Sequence, residues 1–195
     1  MPHITVAPTC RTPKRARALG VIAALSVVAV AGGAAPAPAS AATCTRVIFL
    51  VPSLSCSQTD RVGNQKTIAT SATLSRNGFL ALSSHAINRH LSEGLRGRVL
   101  VVVRDARGNH VWVSQEFQHR TLCSRLDLFC SSNRRTTFTE AMPAAVGRHA
   151  ATMEIYHADG ASFRDLRESV INGLRTSTAI ALEVKDAVCR VYGCG

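Results

Sequence analysis

The sequence predicts a mainly β fold: a disulfide-stapled two-sheet β-sandwich of about seven strands with a C-terminal amphipathic helix. Three observations carry that expectation. The stretch Arg98 to Phe117 (RVLVVVRDARGNHVWVSQEF) is a valine-rich hairpin, several other short runs alternate between turn signals, and the apolar period lengthens beyond Gly160.

The N-terminus is set aside first. Arg11, Lys14, Arg15 and Arg17 form a basic head, Ala18 to Ala31 is an uncharged apolar run, and Ala39-Ser40-Ala41 supplies small residues for a peptidase. Residues 1–41 therefore read as a secretory signal peptide. The apolar run falls short of the roughly 20 residues a membrane-spanning helix needs, so no span is expected after cleavage. Thr43 fits poorly before a lipid-anchored Cys44, and Lys14-Arg15 favours the general secretion route over the twin-arginine one. Residues 42–159 are then read as the sandwich domain, and residues 160–195 as a helical segment packed on it. Removing four basic and no acidic groups lowers the formal charge from +11 to +7. Almost all the remaining cations are arginines spread along the chain, which fits either a surface for phosphates and carboxylates or a general bias toward arginine.

In chain order, Val47 to Val51 is an apolar run stopped by Pro52 and reads as a buried strand. Ser53 to Asn64 reads as a polar loop. From Lys66, Ile68, Thr70, Ala72 and Leu74 share one face of a half-buried strand, which Asn77-Gly78 turns into Phe79-Leu80-Ala81-Leu82. Asn88 to Gly97 is long enough to cross between sheets. In the central hairpin, Asp105 opens the turn and Gly108 supplies positive φ. The first arm is apolar on both faces, as an inner strand should be. The second is one-sided, with Val111, Val113 and Phe117 opposite Ser114 and Glu116. Arg135 to Ala141 and His149 to His157 complete the strands. Then Phe163, Leu166, Val170, Ile171 and Leu174 form a helical stripe, with Ser162 as N-cap and Asp165 in the first turn. Residues 179–192 fit a strand or a helix, and the absence of turn residues before Gly193 favours helix.

Cys10 lies in the leader, leaving Cys44, Cys56, Cys123, Cys130, Cys189 and Cys194. An even number in an exported chain argues for disulfides, and the three close pairs predict pairing within each cluster, stapling local loops. No C-x2-C spacing supports a zinc site. Between Cys123 and Cys130, Leu126, Leu128 and Phe129 are expected to fold back onto the body, with an interaction surface as the alternative.

Chemistry is sparsely signalled. His85 and His90 flank a strand end, and with His110 or His119 they could approach one another; three histidines on one ion would make a metal site. His149 and His157, placed eight residues apart on one strand, would lie about 26 Å apart, too far to share an ion. Ser83-Ser84-His85 is no Ser–His pair, because neighbours in a strand point to opposite faces. No nucleophile, zincin or P-loop motif is present. Asp105, Glu116, Asp127, Glu140 and Glu154 read as solvated charges, apart from the turn-capping role of Asp105. Nine aromatics and a single adjacent arginine pair in the mature chain argue against nucleic acid. No catalytic residue, metal or cofactor is therefore assigned.

The expectation is a secreted, non-catalytic protein that binds at or outside the cell surface, extracellular or wall-associated. Its partner would be an anionic polymer or another secreted protein. Two other classes remain: a small extracellular hydrolase or metal-dependent enzyme using the histidines, and a secreted inhibitor or effector using the Cys123–Cys130 loop.

Overall fold

In the computed structural model, residues 43–47 and 52–194 are described. The leader and the run Ile48 to Val51 lie outside them. Among the described residues there are nine strands and three helices. The first sheet has the order β1 (Thr43–Val47), β2 (Ser53–Gly63), β3 (Lys66–Ser75), β4 (Phe79–Asn88), β8 (Asn133–Ala141), with every pairing antiparallel. In the second sheet, β5 (Gly97–Arg104) pairs on one side with β6 (His110–Val113) and β7 (Phe117–Gln118), and on the other with β9 (Thr152–Asp159), again antiparallel.

The central hairpin forms as the residues dictate. Val99 to Val103 are fully buried on both faces because β5 is the inner strand of its sheet. Gly108 takes φ +82°, and the Asp105 carboxylate accepts the N–H groups of Arg107 and Asn109, each at 2.9 Å. The second arm departs from the one-sided expectation: Trp112 and Ser114 are as buried as Val111 and Val113. Helix α2 (Arg164–Thr176) packs on β6 and covers the face the sequence left open. Ser114 ends that strand, its hydroxyl accepting Val101 N–H at 3.0 Å.

Three further elements differ from expectation. Ser53 to Gly63 is an eleven-residue strand rather than a loop. Its inward positions Leu54, Cys56 and Gln58 are buried, but the inward series continues into Asp60, so polar groups mask the alternation. His149 ends a short helix, α1 (Ala144–His149), and is not part of β9, which starts at Thr152. Gly147 lets α1 lie against the β3–β4 turn: a Cβ there would meet Arg76 O at 2.8 Å. Gly147→Ala is accordingly expected to lower the unfolding free energy by about 1–3 kcal/mol in a urea titration, because backbone atoms must move to make room.

The helical stripe is present, with Phe163, Val170, Ile171 and Leu174 buried. Phe163, not Ser162, is the N-cap, and Glu116 reaches over from the second sheet to accept Phe163 N–H at 2.8 Å. Residues Leu182–Tyr192 form helix α3, burying Val184, Ala187 and Val188 but leaving Val191 exposed. Tyr192 returns to the second sheet, donating its hydroxyl to Val113 O at 3.0 Å beside Trp112. Burial there pushes its phenol up to about 12.

The cysteines form three pairs at disulfide distance, each within its cluster: Cys44–Cys56, Cys123–Cys130 and Cys189–Cys194. The first joins directly opposed residues of β1 and β2 and so cross-links two strands instead of closing a loop. No helix among the described residues is long and apolar enough to cross a membrane.

Candidate functional site

A continuous line of polar side chains links strands of the two sheets within an otherwise apolar core. From the first sheet come Gln58 and Asp60 on β2, Thr70 on β3 and Ser84 on β4. His157 on β9 and His119, just beyond β7, come from the second sheet. The strand period of two puts each of these on an inward position. Four contacts of 2.8 Å join them: Asp60 Oδ2 to His157 Nδ1, His157 Nε2 to Thr70 Oγ1, Thr70 Oγ1 to Ser84 Oγ, and Ser84 Oγ to His119 Nε2. Gln58 Nε2 donates to the other Asp60 oxygen at 2.6 Å.

One arrangement of protons satisfies the line. A carboxylate at Asp60 only accepts, so His157 Nδ1–H donates and its Nε2 accepts from the Thr70 hydroxyl. Thr70 then accepts from Ser84, and Ser84 from His119 Nε2–H. This leaves His119 Nδ1 as a bare lone pair, and that atom is the one in the line that is buried with no partner. An unmet acceptor on a neutral ring is a smaller penalty than an unmet N–H would be. Burial holds His157 below the usual histidine range, although Asp60 pulls the other way. Burial lowers His119 to about 4, with the charges of His157, Arg134 and His85 adding to it.

Asp60, His157 and Thr70 have the hydrogen-bond order of an acid–base–nucleophile triad. The surroundings remove the chemistry. His157 and Thr70 are each 2% exposed, Ser84 0% and His119 1%, so no carbonyl can reach the hydroxyl. Thr70 also uses both its hydrogen and a lone pair within the line. The arrangement therefore ties β2, β3 and β4 to β9 and to the residue after β7, with every member hydrogen-bonded and only His119 Nδ1 unmet.

The histidines singled out by the sequence do not gather. His85 sits on the outward face of the first sheet with Nε2 2.6 Å from Asn133 Oδ1. His90 shapes its own connection, its Nδ1 accepting Glu93 N–H at 3.0 Å. His110 lies beside Arg104 and Glu154, where burial lowers its proton affinity, and His119 is in the interior line. Among the described residues, the one group of three metal-type ligand atoms within reach of each other is Cys123, Asp127 and Cys130, whose sulfurs form a disulfide. Ser84 and His85 do point to opposite faces.

Several acids are not solvated charges. Glu116 pairs with Arg98 and caps α2, and Glu154 pairs with Arg104 at 2.9 Å. Glu140 accepts Gln115 N–H at 3.0 Å, and burial raises its pKa. Asp60, His157 and Thr70 were missed as a set because they lie on three strands and only the fold aligns them.

The second distinctive region is the loop Cys123–Cys130. Leu126, Leu128 and Phe129 are 69%, 90% and 98% exposed, contrary to the expectation that the disulfide folds them onto the body. The loop's base is braced instead. Asn88, buried at the end of β4, donates through Nδ2 to Glu93 O at 2.7 Å and to Cys123 O at 2.9 Å, while Cys123 N–H meets Ser131 O at 3.2 Å. With its base fixed to two segments and its ends bonded together, the loop has no slack to turn its tip inward.

Compared with protein-family models, with curated proteins and with solved structures, the chain matches none, so these two regions carry the functional argument themselves.

Proposed function

We propose that the chain is exported, with residues 1–41 as its cleaved leader, and that the mature protein is a two-sheet β-sandwich acting without catalysis. It binds an anionic partner at or outside the cell surface. The observation that carries this reading is the braced Cys123–Cys130 loop, which holds Leu126, Leu128 and Phe129 in water beside the exposed Arg89 and Arg125. Exposed apolar groups clustered in this way favour an interaction site. The contacts of Phe117 with Phe138, and of His157 with Thr70, support the sandwich reading of the two sheets. The three cysteine pairs support an oxidising compartment. The sealed state of the Asp60–His157–Thr70 line weighs against the hydrolase reading. An inhibitor or effector would use the same loop against a protein partner.

The test is to secrete the protein from a native-like host and separate medium, wall and membrane, washing each with rising salt. Wild type is expected on the cell surface and to come off as salt rises. Leu126→Ser, Leu128→Ser and Phe129→Ser together are expected to move it into the medium, whereas Leu182→Ser, a comparably exposed apolar group on α3, leaves retention unchanged. Wild type found free in the medium would overturn the reading.

A further inference from the structure

The end of the molecule bearing the Cys123–Cys130 loop presents an apolar tip over a basic cleft. Leu91, on the neighbouring connection, is exposed along with Leu126, Leu128 and Phe129. Arg125 N–H donates to His90 O at 2.8 Å and Leu126 N–H to Leu91 O at 3.4 Å, so the two segments lie side by side. At their base is an open cleft of about 480 Å³ whose lining includes Arg89, Arg125, Asn88 and Ser132. Both arginines are exposed, and neither is paired with an acid among the described residues. Of the nearby acids, Asp127 Oδ1 accepts Phe129 N–H at 3.0 Å and Glu93 shares Lys66 with Asp159, at 3.1 and 2.8 Å, so neither is ion-paired with the two arginines.

We infer that this end docks on an anionic phospholipid bilayer. Leu91, Leu126, Leu128 and Phe129 enter the boundary between headgroups and acyl chains, and Arg89 and Arg125 meet lipid phosphates, whose oxygens match the guanidinium fork. The inference rests on the binding reading above and narrows its partner from any anionic surface to a lipid one. An anionic polymer would satisfy the arginines but leave the apolar tip in water. A protein would need an apolar pocket and an acidic rim set to match both features, and that occupant is an outcome of the test below. A bilayer supplies both: phosphates for the arginines and an apolar interior for the four side chains.

The experiment is sedimentation of the mature, disulfide-bonded protein with vesicles of phosphatidylcholine alone, or of phosphatidylcholine mixed with phosphatidylglycerol. Binding to the mixed vesicles alone, weakening with salt, is expected. Leu128→Ser with Phe129→Ser should weaken it ~100-fold or more, since both large apolar side chains lose their burial in the bilayer. Arg89→Gln with Arg125→Gln should weaken it ~30-fold and flatten the salt dependence, because two cations near the anionic surface are lost. All four positions are exposed, so thermal unfolding should not change, which separates lost docking from lost folding. Failure of wild type to bind the mixed vesicles, or binding unaffected by Leu128→Ser with Phe129→Ser, would overturn the inference. If the protein then still needs the loop for retention on cells, the binding reading stands and the occupant is a protein. If it is free in the medium, both fail.

Discussion

Asp60→Ala is expected to lower the unfolding free energy by about 3 kcal/mol, measured by urea or guanidinium titration at pH 7. The substitution removes the acceptor of two donors, His157 Nδ1–H and Gln58 Nε2–H, with contacts of 2.8 and 2.6 Å. Both residues are buried, so water cannot replace the carboxylate without entering the space between the sheets. Each stranded donor costs roughly 1–3 kcal/mol. Adding Gln58→Leu to Asp60→Ala should recover part of the loss, because the unpaired amide N–H goes with the replaced side chain. A fall under about 1 kcal/mol for Asp60→Ala would mean that the line contributes little to holding the sheets together.

The second large effect is loss of stability in mild acid. In the unfolded chain His119 and His157 titrate near the ordinary 6.5, whereas folded His119 is lowered to about 4 and folded His157 is also lowered. The unfolded state therefore binds more protons as pH falls below 6.5, and stability declines from there until the folded rings protonate. At about 1.4 kcal/mol per pH unit, His119 alone accounts for about 3 kcal/mol by pH 4. The main cause at His119 is burial, and protonation at the bare Nδ1 would place an N–H in the core with no acceptor. Asp105 and Glu183, with pKa values below 3.8 and 4.5, lose their contributions at lower pH, so most of the window belongs to the histidines. Glu140, raised by burial, works in the opposite sense and offsets part of the decline. Unfolding titrations at pH 7, 5.5 and 4 should show the fall, and His119→Phe should flatten it. A stability independent of pH over that range would contradict the assigned protonation of the line.

The sequence was most informative where one force acts alone. Apolar alternation located β3, the doubly buried β5 and the stripe of α2, because burial of Val, Ile and Leu dominates those segments. Turn chemistry located the reversals at Asn77-Gly78 and Asp105 to Gly108 for the same reason. It failed where a polar group faces inward. β2 looked like a loop because Gln58 and Asp60 occupy core positions, and those positions are tolerable only opposite His157, about a hundred residues away. Thr70 was correctly placed on the inward face, yet its partners Ser84 and His157 required strand order and register that local pattern does not contain.

The Cys123–Cys130 loop failed in another way. The pairing of the two cysteines followed from their spacing, but the direction of the tip depends on the brace from Asn88, which belongs to the preceding strand. Hydrophobic residues next to a disulfide usually have somewhere to pack; here the base is fixed and the tip projects.

Under the proposed function, binding lies at this exposed end and the interior line is structural. Hydrogen exchange on the mature protein, free and retained on the cell surface, tests it directly without assuming a partner. Slowed exchange concentrated in residues 88–92 and 122–131, with residues 68–72 and 155–158 unaltered, is the expected result. Protection centred elsewhere, such as on the open cleft lined by Asp105, Arg107 and Arg148, with the loop unchanged, would contradict it.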